Sequence, residues 1–455
     1  MTTPTDAAWA AKFATAFTGE LIRPSDDSYD AIRQLHNRSI DKRPALIARC
    51  RTAADVVDVV NTARDAGAAL AVRGGGHNVG GLGSVDGGVL LDCSLMKSVY
   101  VDAARRRARV EGGVLWRELN RATQLHGLAT TGGVISSTGV AGLTLGGGLG
   151  WLMGKYGLAL DNLVSAQVVT ASGDVVEASR DSHPDLFWAL RGAGANFGVV
   201  TSFEFQLHPV GPMITGGLIA YPLQAARDVL RFYRMLASDL PDEASLAAAL
   251  TYAPDGSGVP IVAIILCHIG PLAEAQPFAT RLKSFGQPVV DAIGPITYEA
   301  QSQMLDGGFP RGLRNYWKSR FVDSLTDDVL DGLVETFAAS PSPLSAIIFE
   351  HLHGAVTRHA PDATAFPHRR EGFSVLTMAQ WASVDDDERC TAWARDTYRA
   401  MASTADSAAY VNYLDADETR NRLAAAYGSN MPRLREIKRR YDPTNFFRIN
   451  HNIAP

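Results

Sequence analysis

Cysteine is scarce in this chain. Four occur among 455 residues, at Cys50, Cys93, Cys267 and Cys390. They form no CxxC pair and stand at no metal-ligand spacing from a histidine, which argues against a disulfide framework or a zinc ribbon. Isolated cysteines of this kind are typical of buried apolar positions in a reducing compartment. We therefore expect four buried, unpaired cysteines.

The chain also lacks an excess of positive charge and any long apolar run. It has 43 Lys and Arg against 48 Asp and Glu, a net charge of −5, which argues against a nucleic-acid binder. No apolar run reaches the length of a bilayer span. The segment MTTPTDAAWAAKF at residues 1–13 lacks the basic and then apolar order of a secretory signal. We expect a cytoplasmic protein without membrane or nucleic-acid partners.

Apolar residues, at 46% of the chain, nevertheless predict a packed core. Residues 45–112 alternate between strand-like and helix-like patterns, and Thr52 with Asp55 forms a capping box that predicts a helix start. Pro209 and Pro212 mark a boundary. Beyond it, residues 213–415 lose the glycine clusters and mix strand-like runs with helical stretches. These patterns predict an α+β protein with a second, separate unit.

Glycine-rich segments are the most unusual feature of the first part. A strand-like run leads into Arg73-Gly74-Gly75-Gly76-His77-Asn78, and eight of the twenty residues 131–150 are glycine, too many for a confident helix interior. Glycine lets the backbone adopt positive φ and approach a ligand closely, and successive N–H groups in such a turn can bind a dinucleotide pyrophosphate. An ordinary glycine turn with a surface histidine explains residues 74–77 about equally well.

A third glycine group, GAGANFG at residues 192–198, does not fit a nicotinamide dinucleotide site. Its spacing is one residue longer than GxGxxG. A helix-like segment precedes it and a strand-like segment, residues 199–207, follows it. The dinucleotide fingerprint requires the opposite order, with the strand first.

Four motifs occur in a fixed order along the chain. They are RGGGHN at 73–78, the glycine segment 131–150, DLFWALRGAGANFG at 185–198 and YDPTNFFRINHNI at 441–453. Together they resemble the FAD-linked oxidases of the berberine bridge enzyme group, within the vanillyl alcohol oxidase superfamily. The resemblance implies a two-domain α+β fold: a PCMH-type FAD-binding domain over residues 1–209, a substrate domain with an antiparallel sheet over 210–415, and a segment, 416–455, that returns to the FAD domain.

The resemblance implies that His77 is bonded to the 8α carbon of the flavin of FAD. Many relatives add a second bond from a cysteine, but that position is Ile135 here. We therefore expect one covalent bond. The positions that the resemblance assigns to cofactor binding are Arg73, Gly74, Gly75, Gly76, His77, Asn78, Gly80, Gly133, Thr138, Gly139, Gly142, Gly147, Gly198, Val200, Asn445, Phe447 and Asn450.

Thr138 is also implied to lie beside the reactive face of the flavin. In relatives a small valine at this position admits oxygen and a leucine hinders it. Threonine is close to valine in size, so Thr138 favours reaction with O2. Packing of a threonine within a glycine-rich turn is an equally good interpretation.

The substrate side requires a group that handles a proton. Tyr410-Val-Asn412-Tyr413 resembles a Tyr-x-Asn-Tyr strand of the family, whose tyrosine assists deprotonation of an alcohol. On a strand Tyr410 and Asn412 would share a face and Tyr413 would point away. Tyr410 is therefore the first candidate and Tyr413 the second, with a purely structural aromatic strand as the alternative. The family's carboxylate position is Leu376 here, so Glu350, on a candidate strand, is the proposed replacement.

His351 and His353 would share one face of that same candidate strand. Two histidines without a third ligand are more often ordinary polar residues than a metal site. We expect no metal.

The implied function is oxidation of a small organic substrate, such as an alcohol, a sugar or a secondary metabolite. Hydride would pass to flavin N5, and O2 would reoxidise the flavin with formation of H2O2. A dehydrogenase with another acceptor, an oxidative cyclase, an amine oxidase of the 6-hydroxynicotine type and a non-enzymatic flavin binder remain alternatives. The tyrosine motif favours an alcohol over an amine. The expected partners are the substrate and O2, and the expected state is a monomer or a homodimer.

Overall fold

The structure is a computed structural model that describes residues 17–401 and 408–455. The segment 1–13, on which the prediction about a secretory signal rests, lies outside these ranges. No helix in the described ranges combines the length and the apolar character needed to cross a membrane.

The strands fall into two groups along the described chain. Up to residue 209 they are β1 (Glu20–Ile22), β2 (Leu46–Arg49), β3 (Leu70–Arg73), β4 (Val89–Asp92), β5 (Val99–Asp102), β6 (Arg107–Glu111), β7 (Leu128–Ala129), β8 (Leu163–Val169), β9 (Val175–Ser179), β10 (Val199–Gln206) and β11 (His208–Pro209). Beyond it they are β12 (Met213–Pro222), β13 (Ala244–Tyr252), β14 (Pro260–His268), β15 (Val290–Asp291), β16 (Gly294–Thr297), β17 (Arg314–Val322), β18 (Ala346–Leu352) and β19 (Gly372–Trp381).

The helices alternate with these strands. They are α1 (Tyr29–Arg33), α2 (Ala53–Asp65), α3 (Trp116–Gln124), α4 (Val140–Gly146), α5 (Met153–Tyr156), α6 (Pro184–Ala193), α7 (Ala226–Ala237), α8 (Leu272–Lys283), α9 (Tyr298–Gln303), α10 (Asp327–Ala338), α11 (Asp387–Ala400), α12 (Arg420–Tyr427) and α13 (Met431–Tyr441). This mixture of helices and sheets confirms the predicted α+β class.

Three of the four sheets in the described chain have four or more strands, and the fourth is the short pair of β7 and β11. One has the order β1-β2-β4-β3, with β2, β4 and β3 parallel, and the second is antiparallel with the order β5-β6-β10-β8-β9. The third, an eight-stranded antiparallel sheet, has the order β15-β12-β14-β13-β18-β19-β17, and β16 pairs with β12 beside β15. Because the first two sheets draw on strands before residue 210 and the third on strands after it, we propose the domains 1–209 and 210–415, with 416–455 as the returning segment.

Helix α2 shows how local sequence sets these elements. The side chain of Thr52 accepts a hydrogen bond from the Asp55 backbone N–H, and the Asp55 carboxylate accepts one from the Thr52 backbone N–H. This reciprocal capping satisfies donors that the first turn of a helix leaves free. Val56, Val59 and Val60 then recur on one face and are fully buried. The predicted helix start is confirmed.

Alternation along its strands gives the eight-stranded sheet two different faces. On β14, Val262, Ile264 and Leu266 point into a core that they share with helices α7 and α10. The intervening residues of the same strand, such as Ala263 and Ile265, line a cavity on the other side. The period of two in a strand therefore separates a helix-covered face from a cavity-lining face.

The glycine-rich segment 131–150 contains helix α4, so the prediction against a helix interior there is wrong for residues 140–146. Close packing accounts for Gly146, the last residue of this helix, and for Gly139, which directly precedes it. A Cβ atom on Gly146 would lie 2.1 Å from Oδ1 of Asn412, and one on Gly139 would lie 2.5 Å from the backbone nitrogen of Gly75. Larger residues cannot fit at these contacts.

Residues 442–453, called the closing segment below, are held in place by a buried charge pair. Nζ of Lys438 contacts Oδ2 of Asp442 at 2.7 Å, and both side chains are fully buried. Lys438 also donates to the carbonyls of Asn196 and Phe447. Asp442 in turn accepts hydrogen bonds from the backbone N–H groups of Phe446 and Phe447. This network holds residues 442–453 against the glycine group 192–198.

Candidate active site

A cavity of about 870 Å³ lies where the glycine-rich turns meet the uncovered face of the eight-stranded sheet. One wall consists of residues from 73–78, 133–146 and 192–200, together with residues 447–451 of the closing segment. The opposite wall consists of side chains from β12, β13, β14, β18 and β19. A cavity of this size between two structural units is a common form of ligand site.

The glycine wall owes its shape to two turns in direct contact. A Cβ atom on Gly75 would lie 2.4 Å from the backbone nitrogen of Gly139, and Gly76 adopts a positive φ of 71°. Side chains are therefore excluded where the two turns meet. The cavity is bounded there by bare backbone, which can approach a ligand closely.

His77 follows this turn and lines the cavity. Its ring stacks on the ring of His36, with centroids 4.1 Å apart, and its Nε2 lies 3.1 Å from the Ser137 hydroxyl. Burial, with the nearby His36 and Arg311, lowers the pKa of His77 to about 3. The imidazole is therefore neutral at physiological pH, and a neutral ring retains the lone pair that a nucleophile requires.

Arg73 is held by protein groups beside the glycine turn. Its Nη2 donates to Oδ2 of Asp92 at 2.7 Å, and its Nη1 donates to the carbonyl of Ile32. The Asp92 side chain is almost completely buried. Arg73 lines the cavity, and its ion pair fixes the end of β3 from which the glycine turn departs.

The closing segment contributes polar groups to the same region. Phe447, Asn450 and His451 line the cavity. Oδ1 of Asn450 and Nε2 of His451 are buried, and neither has a hydrogen-bond partner within the described ranges. Buried polar atoms of this kind are usually satisfied by a ligand or water. Unpartnered polar atoms beside a bare-backbone wall fit a large, flat and polar cofactor such as FAD.

Most of the predicted cofactor positions come together in this cavity. Those that line it are Arg73, Gly74, Gly75, Gly76, His77, Asn78, Gly133, Thr138, Gly139, Gly142, Gly198, Val200, Phe447 and Asn450. Three others lie just outside its lining. Gly80 packs on the backbone of Ala416, Gly147 packs on the ring of Tyr410, and Asn445 adopts a positive φ of 54° beyond helix α13.

Cysteine chemistry at this site has two relevant positions. Ile135 lines the cavity and is buried, so the position of a second covalent bond in relatives carries an aliphatic side chain. Cys93 also lines the cavity, which its sequence context did not reveal. Burial raises the pKa of the Cys93 thiol to about 12, so the sulfur stays protonated at neutral pH and is a poor nucleophile. All four cysteines are buried and free, as predicted.

Thr138 lines the cavity beside the glycine wall. Its hydroxyl donates to the carbonyl of Ile135 at 2.8 Å, within the turn that precedes α4. The side chain therefore stabilises the turn and also forms part of the cavity surface.

Glu350 and Tyr413 form a hydrogen-bonded pair on the sheet side of the cavity. The Tyr413 hydroxyl donates to Oε1 of Glu350 at 3.1 Å. Burial raises the pKa of Glu350 to about 7, and the hydroxyls of Ser374 and Tyr413 limit the rise. A carboxyl group that titrates near neutral pH is suited to general acid-base catalysis.

Tyr410 lies against this pair, with its ring centroid 4.8 Å from that of Tyr413. Its hydroxyl oxygen accepts hydrogen bonds from the Gly148 backbone N–H and from Nδ2 of Asn412, each at 2.7 Å. Burial raises the pKa of Tyr410 to about 12. The phenol is therefore neutral at pH 7, and since both lone pairs of its oxygen are engaged, its remaining capacity is to donate its proton.

The prediction of a strand over residues 410–413 is wrong, because residues 411–413 form a short 3₁₀ turn. In this turn Tyr413 N–H bonds back to the carbonyl of Tyr410. Residues three apart in a 3₁₀ helix lie on the same side. Tyr410 and Tyr413 therefore both line the cavity, whereas a strand would have turned Tyr413 away.

His351, on β18, and His353, just beyond the end of that strand, stack on one another, with ring centroids 4.9 Å apart and planes 3° from parallel. They share a face as predicted. Burial lowers the pKa of His351 to about 3. In the described part of the chain no group of three His, Cys, Asp or Glu side chains is arranged to hold a metal ion.

Sequence reasoning missed several residues of the site. His36 and Ser137 contact His77, Trp317 contacts the ring of Tyr413 at a centroid distance of 5.9 Å, and His451 lines the glycine side. Ser137 was the easiest of these to predict, since it directly precedes Thr138. His36 and Trp317 belong to no motif, and only the tertiary fold brings them close.

Two sequence families match the chain. The family described as "FAD binding domain" matches residues 44–179, and the one described as "Berberine and berberine like" matches residues 409–454. Over 98% of its length the chain is 34% identical to (R)-6-hydroxynicotine oxidase of Paenarthrobacter nicotinovorans, of which it covers 99%. The chain belongs to the berberine bridge enzyme-like family of FAD-linked oxidoreductases.

Another relative and two solved structures are also similar to this chain. An FAD-linked oxidoreductase of Dictyostelium discoideum is 31% identical, over 98% of this chain and 96% of that protein. The crystal structure of 6-hydroxy-D-nicotine oxidase from Arthrobacter nicotinovorans has a TM-score of 0.87 at 33% identity and covers 97% of this chain and 99% of that one. Physcomitrella patens BBE-like 1, with a TM-score of 0.89 at 23% identity over 99% and 98% of the two chains, shares the fold.

These similarities confirm the predicted family and its vanillyl alcohol oxidase-type fold. The protein is accordingly an FAD-dependent oxidoreductase of the berberine bridge enzyme-like type.

Proposed function

We propose that this protein is an oxidase that holds FAD through one covalent bond to His77 and oxidises a small organic substrate, with O2 as the acceptor and H2O2 as a product. The observation that supports this most strongly is that one cavity joins His77 to Glu350 and to the two tyrosines Tyr410 and Tyr413. Bound FAD would supply the redox chemistry, accepting two electrons from the substrate and passing them to oxygen. The chain's own residues would hold the cofactor, orient the substrate and remove its proton.

His77 is the proposed attachment point because its ring is neutral and partly immobilised. The lone pair of a neutral imidazole can form a bond to carbon, whereas an imidazolium has none available. Stacking on His36 and the contact with Ser137 restrict the ring's rotation. The aliphatic Ile135 and the protonated Cys93 thiol support a single bond.

Glu350 is the proposed base. As the C–H bond of the substrate breaks, the proton of its hydroxyl group passes to the Glu350 carboxylate. A pKa of about 7 leaves this carboxylate substantially ionised at neutral pH and still basic enough to accept a proton. Tyr413 holds the carboxylate in place through its hydrogen bond.

Tyr410 is proposed to donate a hydrogen bond to the substrate oxygen. Its two N–H donors, Gly148 and Asn412, orient the phenol and increase its strength as a donor. A pKa of about 12 makes it a poor base at neutral pH, so the geometry favours Glu350 for the proton and Tyr410 for orientation.

Thr138 is proposed to leave space for O2 at the reactive face of the flavin. The support is its place in the cavity lining and the engagement of its hydroxyl by Ile135, which keeps that polar group occupied by the turn.

Amine oxidation is the second candidate. The relative with 34% identity is named for 6-hydroxynicotine, and an ionised Glu350 would attract a cationic amine. Alcohol and amine substrates can be distinguished by a screen of both classes coupled to peroxide detection.

The acceptor is tested separately. After anaerobic reduction by a substrate found in the screen, the enzyme is mixed with air-saturated buffer in a stopped-flow instrument. An oxidase recovers its flavin absorbance rapidly and forms one H2O2 for each flavin. Slow recovery would contradict the oxidase proposal and favour a dehydrogenase with another acceptor.

A further inference from the structure

Three alanines meet in register on the cavity-lining face of the eight-stranded sheet. Ala263 on β14 pairs with Ala220 on β12 at one side and with Ala249 on β13 at the other. All three line the cavity, and we call them the alanine floor. Alanine is disfavoured in strands, where β-branched and aromatic residues normally fill the surface. Three adjacent alanines create a depression beside the larger side chains of Leu218, Ile261 and Ile265, which line the same cavity.

The alanine floor leads directly to the proposed base. Ala249 pairs with Ile348, and Glu350 lies two residues further along the same strand, opposite Ala247. With strands about 4.8 Å apart, the three steps from Ile348 to Ala220 span about 14 Å. The depression is therefore an elongated extension of the cavity that begins beside Glu350.

The far end of the alanine floor opens to solvent between apolar side chains. Val290 pairs with Ala220 at the edge of the sheet, lines the cavity and is 44% exposed. Val289, whose backbone N–H donates to the carbonyl of Ala220, is also exposed. Exposed apolar side chains around an opening are typical of a binding site for an apolar ligand.

Polar groups are few along this extension. Between Val290 and Glu350 the cavity-lining residues of β12, β14, β13 and β18 are apolar except for Thr251, Tyr252 with its hydroxyl, and Glu350. A sugar chain placed here would lose hydrogen bonds to water without replacing them, which disfavours binding. A carbon-rich ring system would instead gain affinity in proportion to the area it buries.

We infer that the substrate is an elongated, carbon-rich molecule of two or three rings whose oxidisable hydroxyl or amine lies at Glu350 and whose apolar body lies on the alanine floor. This inference rests on the proposed function for the role of Glu350. It excludes oligosaccharides, which the sequence had left among the substrates.

The test measures binding apart from turnover. Phenol, 2-naphthol and 2-anthracenol carry a hydroxyl but no hydrogen on the carbon that bears it, so they cannot give up a hydride there. Their dissociation constants are obtained from the change in flavin absorbance when each is titrated into the holoenzyme. We expect affinity to rise about tenfold with each added ring, and xylobiose to bind at least about a hundredfold more weakly than 2-anthracenol.

The second part of the test replaces alanines of the alanine floor with larger side chains. Ala249→Leu and Ala263→Leu should each weaken the binding of 2-anthracenol at least about tenfold and leave the dissociation constant of phenol unchanged. Ala104→Leu, at an exposed position, is the matched control, and Ala249→Val replaces the leucine variant if thermal unfolding shows that it is destabilised. Equal affinity across the ring series, tight xylobiose binding or unchanged 2-anthracenol binding in the filled variants would overturn the inference.

Turnover of benzyl alcohol, 2-naphthalenemethanol and 2-anthracenemethanol is then assayed in parallel. A steep binding series without turnover contradicts the oxidase proposal for alcohols and leaves the substrate class standing. Turnover that does not depend on the number of rings supports the oxidase proposal and contradicts the inferred substrate class.

Discussion

The hydroxyl of Tyr413 donates a hydrogen bond to Oε1 of Glu350 across 3.1 Å, although the two residues lie 63 positions apart in the sequence. One comes from strand β18 and the other from a 3₁₀ turn that precedes the closing segment. Because burial raises the pKa of this glutamate to about 7, the pair links the protonation state of the site to physiological pH.

Glu350→Gln should lower kcat/KM by about 100- to 10,000-fold, the usual contribution of a general base. In the wild type, activity should rise with pH through about 7, because the carboxyl group cannot accept a proton while it is protonated. The variant should lose this rise. Glu371→Gln, which changes an exposed glutamate in the same region, is the control and should keep it. An unchanged pH profile in Glu350→Gln would show that another group is the base.

Tyr413→Phe should move the rise in activity to higher pH. The Tyr413 hydroxyl stabilises the ionised form of Glu350, so its loss raises the pKa of Glu350 further. Activity near pH 7 should fall and recover in more alkaline buffer.

Tyr410→Phe provides the contrast to Tyr413→Phe. It should lower kcat without shifting the pH profile, because Tyr410 bonds to Gly148 and Asn412 rather than to Glu350. Identical profiles for the two variants would contradict the division of roles between the tyrosines.

Ser137→Ala should reduce the fraction of protein that carries covalent flavin after expression, because Ser137 restricts rotation of the His77 ring through Nε2. The fraction is measured by intact-protein mass spectrometry. Ser182→Ala removes a Ser–His contact of the same length at an exposed site and should leave the fraction unchanged. Complete attachment in Ser137→Ala would remove Ser137 from the account.

Lys438→Met should destabilise the fold by about 3–5 kcal/mol, because Asp442 would remain buried without its cation. Urea unfolding measures the loss. Arg440 lies on the same helix as Lys438, and Arg440→Met, which breaks its more exposed ion pair with Asp185, should have a much smaller effect. Similar midpoints for the two variants would show that the buried pair does not fasten the closing segment.

Local patterns predicted a large part of this architecture. The capping box at Thr52 and the strand before Arg73 follow from short-range rules, and both form as predicted. The glycine turn before His77, which lines the cavity, could be predicted because three consecutive glycines indicate it.

The remaining features depend on long-range contacts and therefore could not be predicted from local sequence. Gly146, the last residue of helix α4, packs against Asn412, more than 260 residues away. The aromatic pattern of Tyr410 and Tyr413 fits both a strand and a 3₁₀ turn, and the backbone bond from Tyr413 to Tyr410 decides between them. The alanine floor follows from the pairing of β12, β14 and β13, which no single strand sequence specifies.

The proposed attachment of FAD to His77 is tested most directly by the mass of the denatured protein. Wild-type protein, precipitated with acid and washed, should remain yellow and exceed the mass of its chain by one FAD. His77→Ala should give a colourless precipitate with the mass of the chain alone. A colourless wild-type precipitate, or a yellow one from His77→Ala, would contradict covalent attachment at this histidine.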